Sequence, residues 1–586
     1  MAIEPDYEFV IIGSGFGGGA MSARLARRWP GRGLLLERGR DYPLGGFARS
    51  TADLADNFWA PEDEIARPRQ VHRRRLAGSR LIGLFDVRRF GRMDTVTAAG
   101  LGGGSLIYAN VFLRPAPEVF AAGWPAGLDR AALAPYYDIA QSVLGARALP
   151  PAGGEQDRRH LRRTGEFARF AAEQGLVSRP AEIAVFFGQG YSYNGAAAPT
   201  EMGVQETNRY GARQTSCTYC GECDLGCNVR AKNTTDLNYI HVAREKHGLV
   251  LRTLCRAGRI VPLDADGRDD PAGDGSHGYR VEFDDLAAGR VQSVTARRVV
   301  VSAGTLGSNE LLLRCRDVHR SLPALSPALG RRFSGNGDFL AFALDGETQM
   351  DSTRGPVITQ YTDHHLFERI DPERAFILED ASIPTHAAWA MAAARPAIEP
   401  WDSFKQFLRS AFRYLTGRAA GQASQRLGGA LNELLGNDLT QRSAVLLCMG
   451  RDRGDGRFSL NPAGWLDLDW PQSTSLPLYR AILALNRRFA KFIGARIFLP
   501  LPTWLAGRNV TVHPLGGCAL ADTPEHGVVS ARAGERGQVF GYRGLYVADG
   551  SLMPTALGAN PAATITALAE WIAHDLTGLA PDDTLA

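Results

Sequence analysis

Lysine is almost missing from this chain. Lys232, Lys246, Lys405 and Lys491 are the only lysines among 66 basic residues, the rest being arginine. An excess of either charge is also missing, since 62 acidic residues leave a net charge of only +4. A nucleic-acid partner, which needs a concentrated basic face, is therefore not expected. No stretch approaches the roughly 20 apolar residues needed to span a bilayer. Near the start, Phe9-Val-Ile-Ile12 runs straight into a glycine turn, without the cleavage site of an export signal. The expectation is a soluble, cytoplasmic protein. Eight cysteines are too few for a disulfide scaffold in a chain of 586 residues. That length calls for two large domains, and a composition 45% hydrophobic and 22% charged is that of an ordinary globular protein.

Glycine is what the chain does have, and its placement carries chemistry. Tyr7 to Ile12 reads as a short buried strand, followed at once by Gly13-Ser-Gly15-Phe16-Gly-Gly18 and then by a helix through Arg28. Gly13 permits a tight turn, Gly15 lets the backbone approach a pyrophosphate, and Gly18 lets the helix lie close to the strand. The helix N-terminus offers free amides to the pyrophosphate. A second strand, Gly33 to Leu36, ends at Glu37, about 20 residues on, where an acid can accept hydrogen bonds from a ribose. This is a dinucleotide site, and by itself it does not separate NAD from FAD.

Three later stretches separate them. Ala99-Gly-Leu-Gly102-Gly103-Gly104-Ser105 is a turn open enough for a flat ring system. Arg298 to Ser302 is a buried strand closing on Ala303-Gly304, with a helix after it, and Gly544 to Ala548 is another, closing on Asp549-Gly550. Asn560-Pro561 then opens a last helix. A nicotinamide domain is usually complete within the first 150 or so residues. A chain that returns to its cofactor this late suits a long flavin nucleotide, FAD.

These segments resemble the glucose–methanol–choline oxidoreductase family, and within it the cholesterol oxidase-like subgroup. Val512-His-Pro-Leu-Gly-Gly-Cys518, Asp549-Gly-Ser-Leu-Met-Pro554, the run from Asn560 to Glu570, Gly102 to Leu106, Ala303 to Ser308 and Leu329 to Gly337 are the parts that look alike. The resemblance implies an α/β flavoprotein fold like that of p-hydroxybenzoate hydroxylase: a Rossmann-like FAD-binding domain from residues 1–45, 235–335 and 537–586, and a discontinuous α+β substrate domain from 46–234 and 336–536. It also implies FAD contacts from Phe16, Asn110, Asn560 and Pro561 besides the glycine turns.

Oxidising an alcohol means removing a proton from oxygen and a hydride from carbon, and the cofactor takes the hydride. Histidine suits the proton and an amide side chain suits the oxygen. The resemblance puts His513 and Asn560 in these roles. Read alone, the histidine could be a turn residue, and Asn560 could cap its helix. No glutamate stands where the subgroup's isomerising base would lie, just before Trp389. Glu379 is the nearest one, and isomerase activity is not expected.

Cys217-x2-Cys220-x2-Cys223-x3-Cys227 matches the start of a bacterial ferredoxin run, but Asn228 replaces the usual proline and no second run exists. Structural thiols, reduced or disulfide-linked, with no metal, are the expectation. An iron–sulfur cluster, with Cys255 as a remote ligand, and zinc are the alternatives. Between about 401 and 435, Phe404, Phe407, Leu408, Ala411, Phe412 and Leu415 recur at helical spacing opposite Lys405, Arg409 and Arg413. Such a helix either packs on its own domain or makes peripheral contact with an anionic membrane.

The reading is an FAD-dependent oxidoreductase converting a hydrophobic, sterol-like alcohol to the ketone, with oxygen or another electron acceptor. A long-chain aliphatic alcohol is the second reading, and an electron-transfer flavoprotein with an iron–sulfur cluster the third. The purified protein should carry about one FAD per chain, all released by acid. A colourless protein that takes up no added FAD, or one holding NADP instead, would defeat this.

Overall fold

A computed structural model describes residues 4–49, 57–60, 81–157, 159–194, 199–364, 371, 373–384, 438–499, 503, 507–582 and 584–585. The amphipathic stretch at about 401–435 and Trp389 lie outside the described residues. Among the described residues, no helix is long and apolar enough to cross a membrane.

The strand Tyr7–Ile12 is the spine of the first sheet. Its Phe9, Val10 and Ile11 are fully buried, and a strand apolar on both faces needs neighbours on both edges. It finds Gly33–Leu36 on one side and Arg290–Val301 on the other, both parallel. Val250–Arg252 extends the sheet beyond Gly33–Leu36, and Leu545–Val547 pairs parallel with the end of Arg290–Val301. The register aligns the strand ends, with Ile12 opposite Leu36 and Val301, and Val301 opposite Val547. Gly13, Glu37, Ser302 and Ala548 therefore follow at one level, along the carboxyl edge where open parallel sheets bind ligands. The front half of Arg290–Val301 is more polar and pairs antiparallel with Tyr279–Asp285, which pairs in turn with Cys255–Pro262.

Helix Phe16–Arg28 lies on this sheet because glycines let it approach. A Cβ on Gly18 would stand 2.0 Å from the Gly13 carbonyl oxygen, and one on Gly17 would stand 1.6 Å from that of Ala548. Gly13 itself adopts φ +100, open to glycine almost alone. Helices Gly304–Asp317 and Ala562–Thr577 leave the other two strand ends.

A second, antiparallel sheet runs Arg496–Phe498, Phe339–Leu344, Ala444–Gly450, Phe376–Ala381, Gln360–His364 and Ser178–Pro180. Side chains alternate across it. Ala341, Leu446, Cys448 and Leu378 join the main core, against which helix Leu476–Phe492 also packs. Leu340, Val445, Leu447 and Ala381 face the other way. A short strand, Asn509–Thr511, pairs with Met93–Ala98 and delivers His513 between the two sheets.

Gly17→Ala should test how tightly helix and sheet are fitted. The added methyl meets backbone rather than a movable side chain, so a loss of about 3 kcal/mol in denaturant unfolding, with weakened FAD retention, is expected. Unchanged stability would contradict this packing.

Candidate active site

The glycine turns, the second sheet and the His513 segment enclose a cavity of about 770 Å³, within the range of cofactor sites. Its dinucleotide end is lined by Gly13, Gly15, Phe16, Glu37, Gly103, Gly104, Ala303, Gly304, Asp549 and Gly550. Gly15 caps helix Phe16–Arg28 with no side-chain hydrogen bond and no acid in the first turn, so the first amides remain free for phosphate. Glu37 is pinned at the sheet edge. Its Oε2 accepts from the Ser14 amide at 3.1 Å and the Ser14 hydroxyl at 2.5 Å, and its Oε1 from the Gly39 amide at 2.8 Å. Burial pushes its carboxyl above the usual range, against those hydrogen bonds. Asp549 is held by Ser551 and by Ser308, which also accepts from the Ala303 amide at 3.1 Å, so the two late turns are tied together. Burial raises its carboxyl as well. Free helix amides, a seated acid and glycine-lined walls fit FAD.

Four expected cofactor residues do not line the cavity. Gly18 serves helix packing. The Gly102 amide donates to the Ser14 hydroxyl at 2.9 Å, and Ser105 donates to the Gly102 carbonyl at 2.6 Å, so both shape the turn from behind. Asn110 is fully buried and lies beside Cys223 instead.

His513 and Asn560 do line the cavity, with Pro561. The His513 Nδ1 lies 2.9 Å from Asp338 Oδ1, and the Thr511 hydroxyl (2.8 Å) and the Val512 amide (2.9 Å) donate to Asp338 Oδ2. A carboxylate held this firmly takes the proton on Nδ1 and leaves Nε2 as the free acceptor. The ring is 14% exposed and Asp338 3%. A turn residue has no need of this buried partner. Nor does Asn560 cap its helix, which is capped at Pro561 with no side-chain hydrogen bond, and Asn560 Oδ1 has no hydrogen-bond partner.

Both residues hang from one turn. Asn336 Oδ1 accepts from the amides of Leu557 (3.0 Å) and Gly558 (2.9 Å), and its Nδ2 donates to the Ala559 carbonyl at 2.8 Å. Two residues on, Asp338 holds His513. The turn is fixed in turn by Asp452, which accepts from the Ser334 hydroxyl (2.6 Å) and the Gly335 amide (2.9 Å). Burial pushes the Asp452 carboxyl up to about 6. The resemblance had reached Gly337 and stopped one residue short of Asp338.

Glu379 stands behind Asn560. Its strand is buried throughout, and register places it opposite Leu447, which lines the cavity. It is 0% exposed, neither oxygen has a hydrogen-bond partner, and burial holds its carboxyl well above the usual range, with the Asn560 amide as the neighbour opposing that rise. It does not line the cavity.

The family description of GMC oxidoreductases matches residues 8–316 with its N-terminal part and 503–569 with its C-terminal part. The chain belongs to the GMC oxidoreductase family. It is an FAD-dependent alcohol oxidoreductase with that family's fold. A cholesterol oxidase of Acinetobacter baumannii is 28% identical over 96% of this chain and 93% of its own length. One of Mycobacterium tuberculosis is 28% identical over 97% and 90%. A long-chain-alcohol oxidase of Arabidopsis thaliana is 25% identical over 61% of this chain and 46% of its own. Among solved structures, pyridoxine 4-oxidase matches with TM-score 0.54 and 16% identity over 97% of this chain and 98% of its own.

Asp338→Asn should keep FAD bound while slowing cofactor reduction by about 10²-fold, because an amide no longer fixes the Nδ1 proton. Rapid-reaction traces at constant FAD content would show it, and a wild-type rate would remove Asp338 from the site.

Proposed function

We propose that this protein oxidises a sterol-like secondary alcohol to the ketone. The observation that carries the reading is the hydrocarbon lining of the cavity that His513 and Asn560 share with Ile107, Val111, Leu340, Val357, Val445 and Leu447. Such a lining binds a rigid apolar skeleton by excluding water and leaves the hydroxyl as the one group needing polar partners. The names of the bacterial relatives support the same reading.

When bound, FAD supplies the acceptor for the hydride. Everything else falls to side chains. His513 Nε2 accepts the hydroxyl proton, and Asp338 stabilises the imidazolium that results. The Asn560 amide donates to the same oxygen as charge gathers on it. The buried Glu379 carboxyl meets the Asn560 side chain from behind and limits how the amide can turn. Glu379 is thus a positioning residue. The names of the plant relatives favour a second reading, a long-chain aliphatic alcohol, for which the same polar pair would serve.

A panel of sterols and long-chain primary alcohols, mixed anaerobically with the yellow protein, tests the substrate class. Bleaching by sterols at low concentration is expected; bleaching by aliphatic alcohols alone would decide for the second reading. His513→Ala should retain FAD and lose on the order of 10²–10⁴ in reduction rate. Glu379→Leu should lose about tenfold, and Glu379→Gln, which still donates a hydrogen bond, should recover most of it. Equal rates in both Glu379 variants would deny it the positioning role.

A further inference from the structure

Alcohol oxidation makes no use of the cysteine loop, which is built with care. Cys217, Cys220, Cys223 and Cys227 all line one small cavity of about 20 Å³, with Val185, Ala231 and Lys232. All four are free of disulfides, which sets aside the bridged form of the structural reading. Two backbone amides donate to sulfur, Tyr219 to Cys217 at 3.4 Å and Ala231 to Cys227 at 3.2 Å. The loop also bends through left-handed conformations at two residues with side chains, Tyr219 (φ 58) and Arg230 (φ 55), a cost that usually marks a functional constraint. Beneath it, the buried Lys232 Nζ donates to the carbonyls of Cys223 (2.6 Å) and Tyr108 (2.9 Å) and brings a positive charge under four thiols.

A second observation concerns a residue outside the cysteine run. Asn110 is 0% exposed, and neither its nitrogen nor its oxygen has a hydrogen-bond partner, although the amide lies beside the Cys223 thiol. A buried amide left unmatched costs about 1–3 kcal/mol. A thiolate carrying cluster charge would give its N–H groups an acceptor.

The occupant can be narrowed. Zinc draws four sulfurs to about 2.3 Å from one point, and among the described residues no three Cys, His, Asp or Glu side chains converge in a way that holds a single ion. The four thiols line one common cavity, and their spacing along the chain is that of a cluster-binding run. Two objections from the sequence also lose force. Cys227 folds back onto the same cavity as the other three, so no second run is needed. Cys255, the remote candidate, lines the FAD cavity instead.

We propose that Cys217, Cys220, Cys223 and Cys227 hold a single [4Fe–4S] cluster beside the FAD cavity. The two residues after Cys223, Asp224 and Leu225, line that cavity, while Cys220 reaches the surface. The position makes the cluster an exit for electrons. It gains one electron from the reduced cofactor side and returns to its oxidised state when that electron passes to a one-electron acceptor docked near Cys220. Two such cycles clear the pair taken from each alcohol.

Iron and acid-labile sulfide in protein purified without oxygen test the proposal on the intact chain. About four of each per chain are expected, with an electron paramagnetic resonance signal after dithionite. Reductive titration should consume about three electrons per FAD-loaded chain, two by FAD and one by the cluster, and about two in Cys220→Ser. Protein still lacking iron after anaerobic reconstitution with iron and sulfide would overturn the proposal. So would one zinc per chain, or a two-electron endpoint in the iron-loaded wild type.

Discussion

Asp452 and the turn it holds, Ser334 to Asp338, are the constraint on which the alcohol site depends. A buried carboxylate surrounded by backbone amides has little freedom, because each donor it lost would be left unmatched. Fixing this turn fixes two side chains of opposite assignment. Asn336 carries the loop that ends at Asn560, and Asp338 carries His513. His513 and Asn560 come from segments that share no strand, yet both are tied to the span of three residues from Asn336 to Asp338. The turn is also joined to the sheet work around it, since Ser334 pairs opposite Leu515, just beyond His513.

The two ends of the cavity are polar for different reasons. At the dinucleotide end, Glu37 and Asp549 are buried carboxyls satisfied by short local hydrogen bonds. Behind Asn560, Glu379 is a carboxyl without such support, and burial raises it well above the usual range. Carboxyls pressed in the same direction by burial thus reach different chemistry through the donors around them.

Much of the cofactor side was legible in the sequence because parallel strands leave strong marks. Runs such as Phe9 to Ile12 and Val299 to Val301 are apolar without alternation, and each closes on a glycine or an acid. His513 and Asn560 were legible through resemblance. Asp338 was not, and Glu379 was noticed only as the glutamate nearest the expected base position, since burial and a partner far along the chain leave no local pattern. Asn110 was placed on FAD, whereas the fold turns it to Cys223. The cysteine spacing was visible, but the return of Cys227 to its neighbours depends on the left-handed bends at Tyr219 and Arg230, which no periodicity announces.

The parallel register at the sheet edge bears on how the protein comes to be made. Val301 meets Val547, and the Ala548 carbonyl lies against the helix that begins at Phe16. The first and last parts of the chain therefore close the same cavity. Contacts this distant in sequence form late, after the cost of closing a very long loop has been met. A chain still being synthesised lacks the strand Leu545–Val547 and with it Asp549 and Asn560, so the nucleotide cleft stays open along one side until that segment has been made. FAD, which needs both parts of the cavity, would add its binding free energy to the folded state alone, and so favour the closure of that long loop.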